Sequence, residues 1–414
     1  MITRQIVVMV TTSYPRFPGD GVGSFMEPIA KGVAARGHEV HVVLPWHPEM
    51  RRGPIEDGVH FHFFRYAPTR ALHVFGYASG MRADTALRRT AWMMAPLAIA
   101  AGCRTARRVA ARCRATVMHG HWVIPGGVIA TLAAPHLPLV VSLHGSDIFV
   151  AERHALLRRA ARTVFSRAGA VTGPSADLCR RAIALGAPTS DTTVVPYGVD
   201  PDRFAPDADA RRAVRQELGL GESPLVVAAG RLVEKKGFAF LIEAAAQLAT
   251  RHPALTVVIA GDGDLRGQLE ALAQRLHLHN VQFMGNRRQD DVARLFMAAD
   301  VVVVPSIVDD AGNVDGLPNS ALEALATGTP VVATDAGGLA QLVTDGANGR
   351  IVAQRDGPAL AQAIDDVLRD PDRARALGAA ARARVARDFG WPRVAEAMEV
   401  AYTRACVLAS CHRR

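Results

Sequence analysis

Two carboxylates lie eight residues apart in the stretch DGLPNSALEALATG, which continues as an apolar helical pattern. Asp315 precedes the predicted helix, and Glu323 lies one turn inside it. A carboxylate accepts charge-assisted hydrogen bonds from hydroxyl groups, each contributing about 1.5–3 kcal/mol. The spacing therefore indicates a ligand that carries hydroxyl groups on two sides of its binding mouth. The simpler alternative is that one carboxylate is solvated in a loop and the other on the surface of a helix.

A second pattern supplies positive charge. Arg231 and Lys236 lie in the segment GRLVEKKG, between Gly230 and Gly237. A diphosphate is held well by one forked guanidinium and one compact ammonium, together with backbone N–H groups at the start of a helix. A helix that begins after Pro318 would provide those N–H groups. Hydroxyl groups at both ends of a diphosphate describe a nucleotide sugar, so the sequence favours that class of ligand.

Two series of short apolar runs alternate with amphipathic stretches along the chain. The first series predicts strands near 5–11, 39–44, 59–65, 115–119, 138–143, 169–173 and 192–196. The second predicts strands near 224–230, 255–261, 281–285, 301–305, 330–334 and 349–353. Parallel strands need helical crossovers, so alternation of this kind predicts sheets covered by helices on both faces. We therefore expect an α/β fold with two doubly wound parallel-sheet domains.

The chain of 414 residues is longer than one hydrophobic core usually organises. We predict a first domain at 1–200 and a second at 201–390, with a linker over 197–210. A final helix at about 391–410 is expected to return to the first domain. Within the first domain, single helices are predicted over 81–113 and 152–167.

The net charge of +9 is uneven, because residues 1–200 hold 23 Lys and Arg against 12 Asp and Glu, and the remainder holds 25 against 27. The basic first half could lie against anionic lipid or a phosphate-bearing substrate. The alternative is that its arginines are solvated helix faces. Nucleic acid is not expected as a partner, since no helix-turn-helix, zinc-finger or aromatic RNA-binding signature accompanies the charge.

The five cysteines form no CxxC pair, which argues against a disulfide framework or a structural zinc site and favours a reducing cytoplasm. The N-terminal segment is interpreted as a buried strand rather than a signal peptide. The apolar stretch at 91–103 is shorter than the ~20 residues that cross a bilayer. We expect a cytoplasmic protein, with peripheral contact on the inner face of the membrane left open.

Seven motifs occur in the order seen in one known family. They are GVGSFMEPIAKGVAARGHEVHVV, HGHWVIPGG, LHGSD, PYGVD, GRLVEKKG, GDGDLR and LPNSALEALATGTPVVAT. In this order they resemble the retaining glycosyltransferases of family 4, which have the GT-B fold of two facing Rossmann-like domains. The resemblance implies a donor linked to UDP or GDP, a glycan or lipid-linked acceptor bound by the first domain, and no metal or other cofactor.

The resemblance also implies roles for individual residues. Arg231 and Lys236 would hold the diphosphate, Glu323 the ribose hydroxyls and Asp315 the transferred sugar. His144 would contact the donor sugar near the reacting carbon. Substrate binding is further assigned to Gly21, Gly23, His121, Asp147, Gly261, Asp262, Gly263, Gly285, Gly316, Leu317, Pro318 and Asn319.

Three positions depart from the family pattern. Asp315 stands where the family usually has glutamate, which shortens the reach of the carboxylate and leaves the donor sugar less certain. Tyr197 replaces a common asparagine, and Gln341 stands where an acidic residue is frequent. Neither of the last two is expected to touch the residues that bind phosphate.

Other candidate ligands are interpreted more simply. His119 and His121 have the spacing of paired metal ligands, but we expect them to flank the acceptor cleft or to pack, one of them against Trp122. Asp309 and Asp310 are expected to be solvated rather than to bind metal. Two alternatives to transfer stay open: a GT-B enzyme that epimerises or hydrolyses nucleotide sugars without an acceptor, and a non-catalytic subunit that binds them.

Overall fold

The computed structural model describes residues 4–77, 81–82, 86–87 and 89–411, with backbone alone for 81–82 and 86–87. The chain forms two compact units. The first unit contains the chain up to Tyr197 together with the segment that begins at Trp391. The second unit extends from Gly198 to Gly390.

The first unit contains a sheet of eight strands in the order β10-β9-β8-β7-β1-β2-β4-β3, and a separate pair formed by β5 and β6. The strands are β1 (Ile6–Val10), β2 (Glu39–Pro45), β3 (Ile55–Glu56), β4 (Val59–Phe64), β5 (Met81–Arg82), β6 (Ala86–Leu87), β7 (Val117–His121), β8 (Leu139–Ser142), β9 (Ala170–Gly173) and β10 (Thr192–Val194). Neighbours in the large sheet are parallel except β3 and β4. The helices α1 to α6 are Met26–Ala35, Arg89–Cys113, Val128–Ala133, Ser146–Arg153, Ala155–Phe165 and Ala176–Ala184.

The second unit contains six parallel strands in the order β13-β12-β11-β14-β15-β16. They are β11 (Leu225–Ala229), β12 (Thr256–Ala260), β13 (Val281–Gly285), β14 (Val301–Val304), β15 (Val331–Thr334) and β16 (Arg350–Val352). The helices α7 to α14 are Ala208–Glu217, Phe238–Leu248, Arg266–Arg275, Gln289–Ala298, Asn319–Ala326, Leu339–Leu342, Gly357–Arg369 and Pro371–Asp388, and α15 (Trp391–Cys411) follows. The predicted α/β fold with parallel sheets is confirmed.

The last helix belongs to the first unit, as predicted. Glu399 of α15 is 4% exposed and accepts hydrogen bonds from Arg36 and from Nε2 of His38, the latter at 3.0 Å. Tyr402 bonds through its hydroxyl to Nδ1 of His119 at 2.8 Å. Because Glu399 is buried and accepts from both side chains, it fixes α15 against the end of α1 and the start of β2.

Three predicted elements differ from the observed ones. The helix predicted from 81 begins at Arg89, after the two short strands; residues 83–85 and 88 lie outside the described part of the chain. The helix predicted at 152–167 begins at Ala155, because His154 has an extended backbone, and a further helix that was not predicted, α4, precedes it. The linker predicted to reach residue 210 ends earlier, because Asp207 caps α7 by accepting from the N–H groups of Asp209 and Ala210.

Asp300 joins α7 to the sheet of the second unit. Its carboxylate accepts from the N–H of Leu225 at 2.8 Å, from Arg211 at 2.6 Å and from Arg215 at 3.2 Å. The side chain of Arg215 is only 8% exposed and also donates to three backbone carbonyls. This carboxylate therefore neutralises a buried guanidinium that would be costly to leave unpaired.

We expect Asp300→Ala to lower the free energy of unfolding by about 2–3 kcal/mol, somewhat less than for a fully buried pair because Asp300 is partly exposed. The measurement is thermal unfolding of the full chain. The matched control is Asp372→Ala, whose partner Arg375 and own side chain are both well exposed, so a loss below about 1 kcal/mol is expected. Equal losses in the two variants would contradict this account of the network.

Candidate active site

Two loops interlock at the carboxyl ends of β11 and β12, where ligands bind in open parallel sheets. The N–H of Leu232 donates to the carbonyl of Asp262 at 2.9 Å, and the N–H of Leu265 donates to the carbonyl of Leu232 at 3.0 Å. A Cβ atom on Gly261 would lie 1.9 Å from the carbonyl oxygen of Gly230. The GDG segment therefore serves first to seat the loop that carries Arg231.

Gly263 and Gly285 also make close backbone contacts with the neighbouring loops. A Cβ on Gly263 would lie 2.5 Å from the carbonyl oxygen of Leu232, and the carbonyl of Gly285 accepts from the N–H of Gly261 at 2.9 Å. Asp262 bonds to the N–H of Gly263 at 2.8 Å, although its side chain is 44% exposed. The assignment of these four residues to substrate binding stays a prediction, and the structure gives each of them a contact inside the protein.

Asp315 forms ion pairs with both lysines of the GRLVEKKG segment. Its Oδ2 lies 2.7 Å from Nζ of Lys236, and its Oδ1 lies 3.1 Å from Nζ of Lys235. The three side chains are 11–17% exposed. Burial by itself would raise the pKa of Asp315, but the two ammonium groups outweigh burial and hold that pKa well below its usual value. The carboxylate is therefore ionised throughout the physiological range.

The backbone fixes these cations in place. Glu234–Lys236 forms one 3₁₀ turn, and the N–H of Ile307, beyond β14, donates to the carbonyl of Lys235 at 2.9 Å. Arg231 keeps an exposed surface, but desolvation by the surrounding protein lowers the pKa of its guanidinium, and the charges of Asp315 and Asp264 act in the opposite direction. Three cations, Arg231, Lys235 and Lys236, thus interact with two carboxylates, Asp315 and Asp264, which leaves one positive charge in excess among these five groups.

The glycine pair after β15, Gly337 and Gly338, packs against the loop that carries Asp315. Gly316, which the family resemblance assigns to substrate binding, lies in the same contact, and its assignment stays a prediction. A Cβ on Gly337 would lie 2.1 Å from the carbonyl oxygen of Asp315, and one on Gly338 would lie 2.0 Å from that of Gly316. The pair is therefore required by the packing of the protein's own loop, the loop that holds Asp315 toward the lysines.

The helix α11 begins where the sequence predicted. Pro318 is its N-cap residue, and Asn319 is the first helical residue. The side chain of Leu317 is buried, so only its backbone could face a ligand. Oδ1 of Asn319 is buried without a hydrogen-bond partner among the residues that the structure describes. An unsatisfied polar atom beside the first N–H groups of the helix fits a position where a polar ligand group binds.

Glu323 is fixed by Gln289, a neighbour that lies in none of the sequence motifs. Its Oε1 accepts from Nε2 of Gln289 at 2.6 Å, and Oε1 of Gln289 accepts from Arg203 at 2.8 Å. Burial raises the pKa of Glu323, while the Gln289 amide and the charges of Arg203 and Lys236 oppose that rise. The carboxylate is oriented by an amide, whereas Asp315 is oriented by charge.

In the first unit, His144 lies in a chain of three polar rings. Its Nδ1 is 2.7 Å from the hydroxyl of Tyr197, and its Nε2 is 3.1 Å from Nδ1 of His121. Burial, with a smaller contribution from the nearby His119, lowers the pKa of His144 to about 3. The imidazole is therefore neutral at physiological pH. Tyr197, noted as a departure remote from the phosphate site, directly contacts this candidate catalytic residue.

Asp147 holds the loop that carries His144. Its carboxylate accepts from the N–H groups of Val123 at 2.7 Å, Gly145 at 3.0 Å and His144 at 3.3 Å. Burial raises the pKa of Asp147 to about 6, although backbone N–H groups, among them those of Val123 and His144, act in the opposite direction. This carboxylate belongs to the support of the site and titrates close to physiological pH.

The glycine-rich loop after β1 leads to the same group of rings. Phe25 packs against His144 at 4.7 Å and Tyr197 at 4.8 Å between ring centroids. Gly23 has a φ of +65°, and a Cβ there would lie 2.9 Å from Oγ of Ser13. Gly21 has open space around it, so its backbone is accessible to a ligand.

Two simpler interpretations need revision. His119 is fully buried between Tyr402 and Ser142, and His144 is the ring that packs against Trp122, at 4.4 Å. Asp309 is not solvated as predicted: it is 9% exposed and accepts from Asn313 and Ala311 within its own loop. The loop uses this carboxylate to fix its own turn.

Known families match both units. The family described as "Glycosyltransferase Family 4" matches residues 19–203. The family described as "Glycosyl transferases group 1" matches residues 210–384. The family 4 region covers most of the first unit up to its last strand. The group 1 region covers most of the second unit.

Individual relatives match along almost the whole chain. A Mycolicibacterium smegmatis protein named GDP-mannose-dependent alpha-(1-6)-phosphatidylinositol monomannoside mannosyltransferase is 32% identical over 381 residues, 91% of this chain and 92% of the relative. The glycogen synthase of Mycobacterium tuberculosis is 31% identical over 414 residues, 96% of this chain and 94% of the relative.

Solved structures share the fold at lower identity. Sucrose-phosphate synthase from Thermosynechococcus elongatus superposes with a TM-score of 0.78 and 22% identity, covering 97% of this chain and 99% of the other. Anabaena HepE, solved with UDP and glucose, gives a TM-score of 0.75 at 22% identity, covering 97% and 100%. The chain therefore belongs to the glycosyltransferases, with a family 4 region in its first unit, a group 1 region in its second and the GT-B fold overall.

Proposed function

We propose that the protein transfers a sugar from a UDP- or GDP-linked donor to a glycan or lipid-linked acceptor, with retention of anomeric configuration and without a metal ion. The observation that carries this proposal is the cluster of Arg231, Lys235 and Lys236 around the carboxyl ends of β11 and β14. A relative of 32% identity is named for GDP-mannose and a phosphatidylinositol mannoside, which supports a nucleotide sugar and a lipid-linked acceptor.

The cations act on the leaving group. As the bond between the anomeric carbon and the diphosphate oxygen breaks, the electron pair stays on the diphosphate, and Arg231 and Lys236 stabilise the charge that develops there. An acceptor hydroxyl bonds to the same carbon and transfers its proton to the departing diphosphate oxygen. Preorganised charge of this kind is usually the largest catalytic contribution. Glu323 binds the ribose hydroxyls, and Asp315 binds the transferred sugar while it holds the two lysines.

The first unit provides the acceptor site and His144. Because His144 is neutral, it interacts with the sugar as an uncharged imidazole and does not repel the electron-poor anomeric carbon. Tyr197 and His121 keep the ring in one orientation through its two nitrogens.

Lys236→Ala is expected to lower kcat/KM by about 10²–10³, as for the loss of one major electrostatic donor. The assay follows nucleotide release with the donor that raises the melting temperature most in a panel of UDP and GDP sugars, since a bound ligand stabilises the folded state. Products analysed with and without acceptor separate transfer from epimerisation or hydrolysis.

The control is Lys31→Ala, which removes the remaining lysine of the chain, a side chain in the first unit paired with Glu27 and Asp57. Its turnover should stay within about threefold of the wild type. A Lys236→Ala variant that folds and turns over normally would sink the proposed function. Tight nucleotide binding without turnover on any acceptor would favour the non-catalytic subunit.

Activity should also fall in acid because of Asp147. Below pH 6 its carboxyl gains a proton and can no longer accept equally from three N–H groups, so the loop of His144 loosens. Since burial places the folded-state pKa above the usual 3.8, this protonation favours the folded chain, and the loss concerns turnover alone. We expect kcat at saturating donor to show an acidic limb near pH 6.

Saturating donor removes the contribution of Glu323, whose raised pKa affects donor binding. Asp147→Asn should lower kcat near neutral pH and abolish the acidic limb, because an amide does not titrate. An unchanged limb in this variant would assign the titration to another group.

We further propose that α2 contacts an anionic membrane surface. Met93 is 75% and Leu97 53% exposed, and Leu156 of α5 is 71% exposed. The ring of Trp92 lies 5.8 Å from that of His154, which connects the starts of α2 and α5. The basic excess of residues 1–200 suits anionic lipid. No described helix is long and apolar enough to span a bilayer.

The double variant Met93→Ser/Leu97→Ser should bind vesicles of phosphatidylcholine with 30% phosphatidylglycerol about tenfold more weakly than the wild type, as expected for two apolar side chains that no longer enter the interface. Vesicle co-sedimentation measures this. Val400→Ser, which changes an exposed valine of α15, is the control and should bind as the wild type does. Equal binding of all three proteins would refute the contact.

A further inference from the structure

Arg203, Gln289 and Glu323 form a continuous line of hydrogen bonds within the second unit. We propose that Gln289, itself fixed by Arg203, is a positioning residue that holds Glu323 in the orientation needed to bind the ribose hydroxyls of the donor. This inference rests on the proposed function and deepens it, because it makes the preference for ribonucleotides depend on a residue that no motif contains.

The direction of the Gln289 amide follows from its partner. A guanidinium has donors and no acceptor. The atom of Gln289 that lies 2.8 Å from Nη1 of Arg203 must therefore be the carbonyl oxygen Oε1. The other end of the amide, Nε2, then faces Glu323 as a donor, at 2.6 Å from its Oε1. A flipped amide would place donors against Arg203 and an oxygen against a carboxylate, so one orientation is strongly preferred.

Arg203 is in turn held on two sides. Its Nε and Nη2 donate to Oδ1 of Asp290 at 2.9 and 2.6 Å, and its backbone N–H donates to Asp200 at 3.2 Å. Asp290 and Gln289 are adjacent in the first turn of α10, so one guanidinium binds both side chains. This ties the segment that follows Gly198 to the start of α10 and fixes where the Gln289 amide can lie.

Glu323 is left with one anchored oxygen and one available oxygen. Oε1 is occupied by Gln289, and no described residue bonds to Oε2. The charges of Arg203 and Lys236 both favour the ionised carboxylate. A carboxylate whose orientation is already fixed loses less rotational freedom when it binds a hydroxyl, so the hydrogen bond contributes more of its energy to affinity.

A purely structural role would look different in solution. If Gln289 only joined α10 to α11, its loss would weaken every nucleotide equally through a less stable unit. A positioning role predicts that the loss appears only for ligands that carry the ribose hydroxyls. Comparing each nucleotide with its deoxy analogue separates the two.

The experiment measures dissociation constants of UDP, GDP and their 2′-deoxy and 3′-deoxy analogues by calorimetry on the full chain. The wild type should prefer the ribonucleotide over at least one deoxy analogue by about 10- to 100-fold, as expected for a charge-assisted hydrogen bond. Gln289→Leu should reduce that ratio below about threefold while changing the affinity for the deoxy analogue less than about threefold.

Gln362→Leu is the matched control, because Gln362 also accepts from an arginine, Arg251, and donates to a carboxylate, Asp366, on the exposed face of α13. It should leave the ratio unchanged. Arg203→Leu, which removes the group that orients the amide, should lower the ratio by about three- to tenfold, and it provides the test if Gln289→Leu does not fold.

The outcomes separate the two levels of the argument. A wild type that binds neither UDP nor GDP would overturn the proposed function. A wild type that binds them with no preference for the ribonucleotide would overturn the role of Glu323. A Gln289→Leu variant that keeps the wild-type ratio, or that loses affinity equally for both ligands, would overturn the positioning role of Gln289.

Discussion

The second unit depends on one electrostatic constraint: two ammonium groups share one buried carboxylate at the carboxyl end of a parallel sheet. Asp315 holds Lys235 and Lys236 within 3.1 Å, and the surrounding charge keeps that carboxylate ionised despite burial. Neighbouring lysines repel each other, so without this partner they would spread into solvent. The carboxylate therefore preorganises a positive cluster that would otherwise have to be assembled when a diphosphate arrives.

The loops around that cluster explain why so many glycines occur in the motifs. The carbonyl oxygens of Gly230, Asp315 and Gly316 each lie where a Cβ atom on a facing glycine would collide with them. Glycine in these segments lets one loop pack on the next. The result is a rim of closely packed backbone, and close packing of the supporting residues keeps preorganised charges in place. The glycines of these motifs, which the sequence analysis assigned to ligand contact, therefore first allow the loops to pack on each other.

The first unit meets the opposite electrostatic requirement. Its rings are buried and neutral: burial lowers the pKa of both His119 and His144 to about 3. Tyr197, His144 and His121 share hydrogen bonds in a row, and Asp147 supports the loop beneath them. The second unit thus concentrates cations, whereas the first unit buries a row of neutral rings.

The sequence determined the features that depend on local properties. Apolar periodicity determined the α/β class and the order of the main strands and helices, capping determined the start of α11, and residue type determined where charge lies. Other features needed the tertiary structure. The extended backbone at His154, which separates α4 from the helix predicted after it, has no strong local signal. The contacts of Gln289 with Glu323 and of Tyr197 with His144 join residues 34 and 53 positions apart. Partners across such distances are selected by how the strands and helices pack, and a single sequence does not encode that packing in any short pattern.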